Sequence, residues 1–502
     1  MPLHKLIIIG IDAADYQLTR NFMEDGDLPR LSTIKDQNHF SCLKSGIPPH
    51  TAPGWTSITT GVNPGKHGIY YFHNFSTSPA TITNSTNTST PRIWDYVQAL
   101  NEKSAVVNVP VTYPVHTISG SIVAGIHPWY IDERSVYPDD LLKRLKRADY
   151  EIDTPMSRSL EKQPNLLISR LLKTEEKRAD IFLNLLKEHE WSFGMIVLTA
   201  LDRLQHKLLG KGERESKAVR RGYHEIDALV GRIIDSLGVG INILVVSDHG
   251  FNQRPVAFYP NAWLYEKGLL QRKSSIQYRI TRILHDLLDG HLLWLPQSLK
   301  KRYQGATVVV HSIDAVDLAK SRAFVPGTDG IIIVRSKEDE RSIISGLAEL
   351  KDDSGRRICS IYTRDQVFKG DKLSSAPELL IVPRDDVNIR SDPFSRDVIS
   401  NSGSFPKANH GPSGIFFATG PSIRKSANLD ICLEDVAPTS LALMGIRPPD
   451  FMDGRTIQEI MIEPHSFDYL KPVEVIPEDR VYSFSESDEK HVMDNLRRLG
   501  YT

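Results

Sequence analysis

Short apolar runs, each ended by an acidic or turn residue, recur along the chain and predict strands buried on both faces of a sheet. The six runs are Lys5–Ile11, Ala105–Val109, Phe193–Leu198, Ile241–Val246, Glu378–Val382 and Ile415–Ala418. Two longer segments, Asn165–Glu188 and Glu213–Leu237, place apolar residues three and four positions apart, which predicts helices with one buried face. Because strands alternate with helices, we predict an α/β fold with a doubly wound, mostly parallel sheet sandwiched by helices.

Two polar stretches interrupt this alternation. Asn74–Thr90 is mostly Ser, Thr, Asn and Pro, which predicts a surface loop. Gln271–Tyr303 is locally basic around the apolar stretch His291–Leu295. It could form a lid over an anionic substrate, an amphipathic segment that touches a membrane, or a solvated helical face. The last of these is the favoured interpretation.

Charge and hydropathy exclude several classes of protein. The 502 residues include 61 Lys and Arg against 62 Asp and Glu, a formal net charge of -1. A dedicated nucleic-acid-binding protein normally has a basic excess, so we expect no nucleic-acid partner. No run of about 18 apolar residues occurs, so we expect no membrane-spanning helix. The run Leu6–Ile11 is also too short for the hydrophobic region of a signal peptide.

The three cysteines, Cys42, Cys359 and Cys432, are far apart in the sequence. An odd number without Cys-x-x-Cys spacing predicts neither a disulfide framework nor a cysteine zinc site. We therefore expect a cytoplasmic protein. The sequence leaves its oligomeric state open.

Acidic and histidine side chains accompany four of the predicted strands. They are Asp12 after Lys5–Ile11, Asp202 and His206 after Phe193–Leu198, Asp248 and His249 after Ile241–Val246, and His410 before Ile415–Ala418. In doubly wound sheets, ligands bind at the carboxyl ends of the strands. We therefore expect these side chains to lie together at one edge of the sheet.

Carboxylates crowded at one edge repel one another unless a cation lies between them. Asp202 and His206, four residues apart, would share one face of a helical turn, a spacing that lets both bind one ion. Six oxygen and nitrogen ligands without a thiolate suit two zinc ions, or manganese, better than a structural zinc. Each fragment also has a simpler interpretation: Asp12 could cap a helix, and His410 could be structural.

Thr51 lies in a proline-rich segment that precedes a predicted helix. Pro48, Pro49 and Pro53 stiffen the segment, and Gly54 permits a sharp entry into a helix that we predict to start near Trp55. At a helix N-terminus, backbone N–H groups favour an anion. The Thr51 hydroxyl could be a metal-activated nucleophile or simply a helix cap. The local sequence favours the cap.

Taken in order, these segments resemble the alkaline phosphatase superfamily. The closest resemblance is to its type I phosphodiesterase/nucleotide pyrophosphatase branch, in the group described as predicted phosphohydrolases or phosphomutases. The resemblance is carried by Gly10–Asp12, Thr51–Ser57, Asn63–Ile69, Asn108–Pro114, Asp202–His206, Asp248–Gly250, Asn409–Gly411, Asp435–Thr439, Met452–Arg455 and Leu496–Tyr501. It is weakest in residues 130–190 and 260–400.

The resemblance implies one alkaline phosphatase-like catalytic domain over residues 1–502. Residues 130–190 and 260–400 would be inserted cap regions, and residues 466–502 a C-terminal extension. It also implies two divalent metal ions, zinc or alternatively manganese. One ion would be held by Asp202, His206 and His410, and the other by Asp12, Asp248 and His249, with Thr51 bridging toward the second.

The resemblance reverses the interpretation of Thr51, which becomes the nucleophile of a phosphoester hydrolase that forms a phosphothreonine intermediate. The implied activity is that of a phosphodiesterase or nucleotide pyrophosphatase acting on a small-molecule phosphoester. Alternatives are a phosphomonoesterase or phosphomutase of the same superfamily, and an inactive metal-binding partner protein.

Two departures from the family pattern bear on the substrate. Nucleotide-cleaving relatives commonly carry an Asn shortly after the nucleophile, where this chain has Gly54. Another donor to the phosphoryl oxygens is then needed, and the candidates are the backbone near Ala52 and the side chains of Lys66 and His67. The sulfatase motif Cys-x-Pro-x-Arg is not matched at Thr51, which disfavours sulfatase activity. Trp55 could shape a leaving-group pocket, although packing at the helix start is the favoured role.

Overall fold

The computed structural model of the chain describes residues 3–75, 81–126, 131–154, 156, 158–273, 315–401 and 408–462, together with 473, 475, 482–485, 488–489 and 492. The described helices are α1 (Tyr16–Glu24), α2 (Pro29–Gln37), α3 (Thr51–Thr60), α4 (Pro64–His67), α5 (Ile93–Ala99), α6 (Asp140–Arg147), α7 (Arg158–Glu161), α8 (Pro164–Glu188), α9 (Ala200–Leu208), α10 (Glu213–Asp235), α11 (Pro260–Glu266), α12 (Lys337–Ala348), α13 (Arg364–Val367) and α14 (Val436–Met444).

The described strands are β1 (Leu6–Ile11), β2 (His39–Lys44), β3 (His73–Asn74), β4 (Thr81–Ile82), β5 (Ser104–Val109), β6 (Gly120–Ala124), β7 (Val136–Tyr137), β8 (Phe193–Leu198), β9 (Asn242–Val246), β10 (Gly250–Gln253), β11 (Val256–Phe258), β12 (Ala323–Phe324), β13 (Ile331–Val334), β14 (Cys359–Thr363), β15 (Leu379–Pro383), β16 (Val387–Ile389), β17 (Ile399–Ser400), β18 (Ala408–Gly411), β19 (Ser413–Thr419) and β20 (Ile431–Cys432).

Nine of these strands form a central sheet in the order β20-β2-β19-β9-β1-β8-β5-β6-β7. Only β7 and β19 run antiparallel to their neighbours within this sheet. Along β1, Ile7 and Ile9 pack into one hydrophobic core, whereas Leu6 and Ile8 pack into a second core. Successive side chains of a strand point to opposite faces, so each face of the sheet has its own core. The predicted α/β fold with a mostly parallel sheet between helices is confirmed.

The register of the sheet brings three strand ends to one level. Ile11 at the end of β1 lies opposite Leu198 at the end of β8. Gly10 lies opposite Val246, the last residue of β9. The residues that follow β1, β8 and β9 therefore leave the sheet at the same edge.

Two strand predictions need correction. The run ending at Val382 does form a strand, β15, but that strand belongs to a separate antiparallel sheet of order β12-β13-β15-β14. The run Ile415–Ala418 joins the central sheet as β19, but it runs antiparallel to β2 and β9. A short apolar run shows that a strand is buried, and contains no information about which sheet it joins or in which direction.

The predicted inserts differ in where they lie. Residues 130–190 contribute β7 to the edge of the central sheet, and α8 from this region packs against β5, β8 and α10. This part of the chain therefore lies within the main layers. Residues 260–400 contain the separate four-stranded sheet, which packs around its own hydrophobic core. The division into one catalytic domain with caps stays a prediction.

Other predicted segments are described only in part. Within Asn74–Thr90, the residues 76–80 lie outside the description, but Ile82, Thr83 and Asn84 are buried, so the segment is not simply a surface loop. The basic segment is described only up to residue 273, and most of residues 466–502 lie outside the described residues. In the described part of the chain, no helix is both long and apolar enough to cross a bilayer.

Candidate active site

Thr51 is the first residue of α3 and is fully buried. The helix begins here rather than near Trp55, because His50 is its N-cap and accepts a hydrogen bond at Nδ1 from the Ala52 N–H over 3.1 Å. Thr51 therefore does not cap the helix. Its Oγ1 instead lies 3.2 Å from His249 Nε2, beyond the end of β9.

Trp55 anchors α3 against the central sheet. Its side chain is fully buried in one of the two cores. A Cβ atom on Gly10 of β1 would lie 2.3 Å from the Trp55 ring, so only glycine allows this close contact. Trp55 is therefore a packing residue that holds α3, the helix that begins at Thr51, on β1.

The first predicted ligand group meets beside α9. Asp202 Oδ1 lies 3.3 Å from His206 Nε2 and 3.5 Å from His410 Nε2. The two histidine Nε2 atoms are 2.9 Å apart. Asp202 and His206 share a face of α9 as their spacing predicts, and His410 comes from β18, which pairs with β10 directly after His249.

The second predicted group meets at the ends of β1 and β9. His249 Nε2 lies 3.6 Å from Asp12 Oδ1 and 3.3 Å from Asp248 Oδ2. His249 also lies close to the first group, because its ring stacks on that of His410 with 4.0 Å between centroids. Asp202, His249 and His410 offer ligand atoms within 4.8 Å of one another, as do Asp12, Asp248 and His249. His249 thus lies between the two groups.

Burial and charge set the electrostatics of this cluster. Burial raises the pKa of the Asp12 and Asp248 carboxyl groups, and the negative charge of Asp202 raises both further. Burial also opposes ionisation of Asp202, but His206, His410 and Arg203 outweigh it and hold its pKa well below the usual value. Burial lowers the pKa of His249 and keeps its imidazole neutral, the form that binds metals.

The Asp and His side chains of the two groups are suitable ligands for divalent cations. Neither carboxylate oxygen of Asp12 receives a hydrogen bond from a described residue, although the side chain is fully buried. A buried carboxylate without donors is costly unless a cation accompanies it. The separations of 2.9–3.5 Å within the Asp202 group are close to the ~3.3 Å expected between two ligand atoms ~2.0 Å from a tetrahedral ion.

A buried arginine that sequence reasoning missed holds Asp202. Arg203 pairs with Asp202 through Nη1, and its Nη2 lies 2.7 Å from Asp153 Oδ2. The Thr199 N–H, just before α9, donates to Glu175 of α8 over 2.8 Å. Asp153 and Glu175 therefore brace the helix that carries two predicted ligands. Arg203 directly follows Asp202, so the sequence could have indicated it as a site residue. Nothing in the sequence around Asp153 indicates that it contacts the site.

His410 has two acceptors at its other ring nitrogen. His410 Nδ1 lies 3.2 Å from the Pro49 carbonyl oxygen, which belongs to the segment before Thr51. Asp329 Oδ1 lies 3.4 Å from the same nitrogen. Burial disfavours protonated His410, yet Asp202 and Asp329 raise its pKa to about 10. Asp329 was not predicted as a site residue.

The family assignment rests on a match over most of the chain. The model of the family described as type I phosphodiesterase / nucleotide pyrophosphatase matches residues 6–413, which include Thr51 and every predicted metal ligand. The chain belongs to this family. It is accordingly a phosphoester hydrolase of the phosphodiesterase/pyrophosphatase type. No curated protein matches it in sequence.

Several solved structures share this fold at low sequence identity. Phosphonoacetate hydrolase from Sinorhizobium meliloti 1021, in complex with phosphonoformate, is 15% identical, with a TM-score of 0.57 over 88% of this chain and 96% of that one. Human ectonucleotide pyrophosphatase/phosphodiesterase 5 is 13% identical, with a TM-score of 0.56 over 91% and 100%. An inactive threonine-to-alanine variant of the murine protein, in complex with AMP, is 12% identical, with a TM-score of 0.56 over 93% and 100%.

Gly54 stands where the resemblance to this phosphodiesterase family predicts an Asn donor. A Cβ atom on Gly54 would lie 3.0 Å from the Asp248 Cβ, so α3 packs directly against a predicted ligand and leaves little space for a side chain there. This close packing explains why a glycine occupies position 54.

The three groups proposed from the sequence as donors to the phosphoryl oxygens each have partners within the protein. The Ala52 N–H donates to His50, and Lys66 Nζ pairs with Asp453 Oδ1 over 2.6 Å. His67 is fully buried, with its ring nitrogens 3.2 Å from Ser57 Oγ and 3.0 Å from the Ile69 nitrogen, and burial lowers its pKa to about 3. The Ala52 N–H, the Lys66 ammonium group and the His67 ring each have a protein partner in this structure, so the donor to the phosphoryl oxygens stays a prediction.

Proposed function

We propose that this phosphoester hydrolase cleaves phosphodiesters at a site for two divalent metal ions, through a phosphothreonine intermediate on Thr51. The 3.2 Å separation between Thr51 Oγ1 and His249 Nε2 carries the proposal, because His249 lies between both ligand groups. A hydroxyl group in this position lies beside the residues that would hold the two ions.

The proposed ligands are Asp202, His206 and His410 for one ion and Asp12, Asp248 and His249 for the other. Oxygen and nitrogen ligands without a thiolate suit zinc, with manganese as the alternative. When bound, two such ions lower the pKa of a hydroxyl group and of water and neutralise charge on the phosphoryl oxygens.

The chain's own part in the reaction begins with the fixed position of Thr51. Its hydroxyl loses a proton to solvent, the oxygen forms a bond to phosphorus, and the bond from phosphorus to the leaving oxygen breaks. The leaving oxygen takes a proton from solvent. Water then attacks the phosphothreonine, the Thr51 oxygen regains a proton, and a phosphomonoester is released. The two steps together consume one water for each diester cleaved.

The cationic side chains that flank the site support a diester over a monoester. A phosphomonoester carries nearly two negative charges at neutral pH and needs more positive charge than a diester does. Among the described residues, Arg203 is held between two aspartates, Lys66 pairs with Asp453, and Arg254 donates to three backbone carbonyl oxygens. A phosphomonoesterase or phosphomutase would need a cation from elsewhere, such as the basic segment 271–303.

A substrate panel tests the proposal. We expect faster hydrolysis of bis-p-nitrophenyl phosphate than of p-nitrophenyl phosphate after loading with zinc or manganese. Faster turnover of the monoester would contradict the diester preference. Nucleotide diesters that release AMP belong in the same panel, because the murine relative was solved with AMP.

The alternative of an inactive metal-binding partner protein predicts a different result. Such a protein would bind metal and cleave no member of the panel with either ion. We further propose a cytoplasmic location and a small-molecule phosphoester as the partner; the free state of all three cysteines supports the first of these. Cell fractionation with an antibody against the chain would test the location.

A further inference from the structure

The ring of His410 is held from both sides. Its Nε2 faces the predicted metal position, where Asp202 Oδ1 lies 3.5 Å and His206 Nε2 2.9 Å away. Its Nδ1 faces away from that position, toward the Pro49 carbonyl oxygen and Asp329 Oδ1. An imidazole that binds a metal through Nε2 carries its hydrogen on Nδ1, so an acceptor at Nδ1 selects this tautomer.

Asp329 comes from a different part of the fold than the ligands do. It lies in the connection from β12 to β13, within the separate four-stranded sheet. Its side chain is only 4% exposed. The inserted sheet therefore delivers a buried carboxylate to a histidine of the central cluster.

The loop that carries Asp329 is closely packed against the site. A Cβ atom on Gly327 would lie 2.2 Å from the Tyr71 hydroxyl, so the backbone approaches Tyr71 as closely as a glycine allows. The Asn409 side chain, next to His410, donates to the Thr328 carbonyl oxygen over 3.1 Å. Arg254 Nη2 donates to the His410 carbonyl oxygen over 3.2 Å. These contacts fix both Asp329 and His410.

We propose that Asp329 is a positioning residue through which the inserted sheet completes the metal site, by holding His410 with Nε2 directed at the ion. The proposal rests on the two-metal function proposed above. It makes the inserted sheet part of the metal site as well as a candidate cover for the substrate. Partners of this kind typically contribute 10–100-fold to metal affinity.

Zinc affinity tests the proposal without reference to activity. Zinc is titrated into the metal-free wild-type protein and into Asp329→Ala and Asp329→Asn, in competition with a chromophoric chelator. We expect Asp329→Ala to weaken one of two zinc-binding steps by about 10–100-fold. Asp329→Asn retains a carbonyl oxygen but no charge, so we expect an intermediate loss. The visible spectrum of cobalt at the weakened site should change in parallel, because the geometry of His410 as a ligand changes.

Asp339 offers a matched control in the same sheet region. Its side chain is also 4% exposed, and it pairs with Arg322 instead of with a site residue. Asp339→Asn should leave both zinc-binding steps and the cobalt spectrum unchanged. Wild-type zinc affinity in Asp329→Ala would overturn the proposal. If Asp329→Ala does not fold, wild-type affinity in Asp329→Asn would overturn it equally. Failure of the wild-type protein to bind two ions would instead contradict the proposed function.

Discussion

The hydroxyl oxygen of Thr51 lies 3.2 Å from Nε2 of His249, although the residues are 198 positions apart in the sequence. One stands at the start of α3 and the other just beyond the end of β9. This contact joins the start of α3 to the carboxyl end of the central sheet.

We expect Thr51→Ala to lower turnover of a diester by at least about 10³-fold, because the nucleophile is lost. Bound zinc should stay at the wild-type level, since six other ligand side chains are unchanged. Thr51→Ser keeps a hydroxyl group and should retain part of the activity. Thr60→Ala is the matched control, because among the described residues the Thr60 hydroxyl donates to the Thr56 carbonyl oxygen of the same helix and to no site residue. Unchanged turnover in Thr51→Ala would contradict the mechanism.

We expect Asp248→Asn to stabilise the metal-free protein while weakening metal binding. Burial and the charge of Asp202 raise the pKa of Asp248, so its ionised form at neutral pH destabilises the folded state. The asparagine is neutral and should raise the Tm of the metal-free protein by about 1–3 °C. Scanning calorimetry of the metal-free protein measures the Tm, and a zinc titration measures metal binding.

Asp132→Asn serves as the control for this prediction. Burial opposes ionisation of Asp132, but hydrogen bonds from Ser135, Arg134 and Tyr113 outweigh it and hold the pKa of this buried carboxyl group below its usual value. The ionised Asp132 therefore stabilises the folded state at neutral pH, and Asp132→Asn should lower the Tm. A lower Tm in metal-free Asp248→Asn would show that the aspartate cluster is not under electrostatic strain.

We expect Arg203→Met to destabilise the protein by about 3–5 kcal/mol, because it leaves buried carboxylates without their cation. It should also weaken zinc binding at the Asp202 group, since Asp202 loses the partner that orients it. Denaturant unfolding and zinc titration measure the two effects. Arg144→Met is the control: its pair with Glu188 is about one-third exposed on both sides and should contribute at most about 1 kcal/mol. An equal loss of unfolding free energy in Arg203→Met and Arg144→Met would contradict a larger contribution from the buried Arg203–Asp202 pair.

We expect Gly10→Ala to lower both stability and turnover. The added Cβ would lie 2.3 Å from the Trp55 ring and 2.9 Å from Val197, a degree of overpacking that costs about 1–3 kcal/mol. Trp55 would have to move, and α3 with Thr51 would move with it. Combining Gly10→Ala with Trp55→Phe should recover part of both losses. Gly238→Ala, with no atom within 4 Å of its Cβ, should change neither quantity.

Much of the site could be predicted because it follows strands directly. Asp12, Asp248 and His249 come immediately after apolar runs, and the carboxyl ends of parallel strands share an edge. Asp202 and His206 follow from helical spacing. The family match over residues 6–413 supports the same chemistry. The roles of these residues stay predictions until metal binding and turnover are measured.

Other features were not visible from the local pattern. The run that forms β15 has the same apolar character as those of the central sheet, yet it pairs in the separate four-stranded sheet. Asp153 and Asp329 lie where the resemblance is weakest, and each reaches the site only through tertiary contacts with Arg203 and His410.

The sequence by itself determined the alternation of strands and helices and the residues at the strand ends, because these depend on periodicity and on neighbours along the chain. Its ordered resemblance to a known family, and not periodicity, indicated the class of chemistry. Only the tertiary structure decided whether Thr51 caps its helix: His50 takes that role, and the Thr51 hydroxyl faces His249 instead. The physical reason is that a hydroxyl group at a helix start can serve either role locally. Which role it takes depends on groups brought to it by a sheet whose strands are distant in sequence.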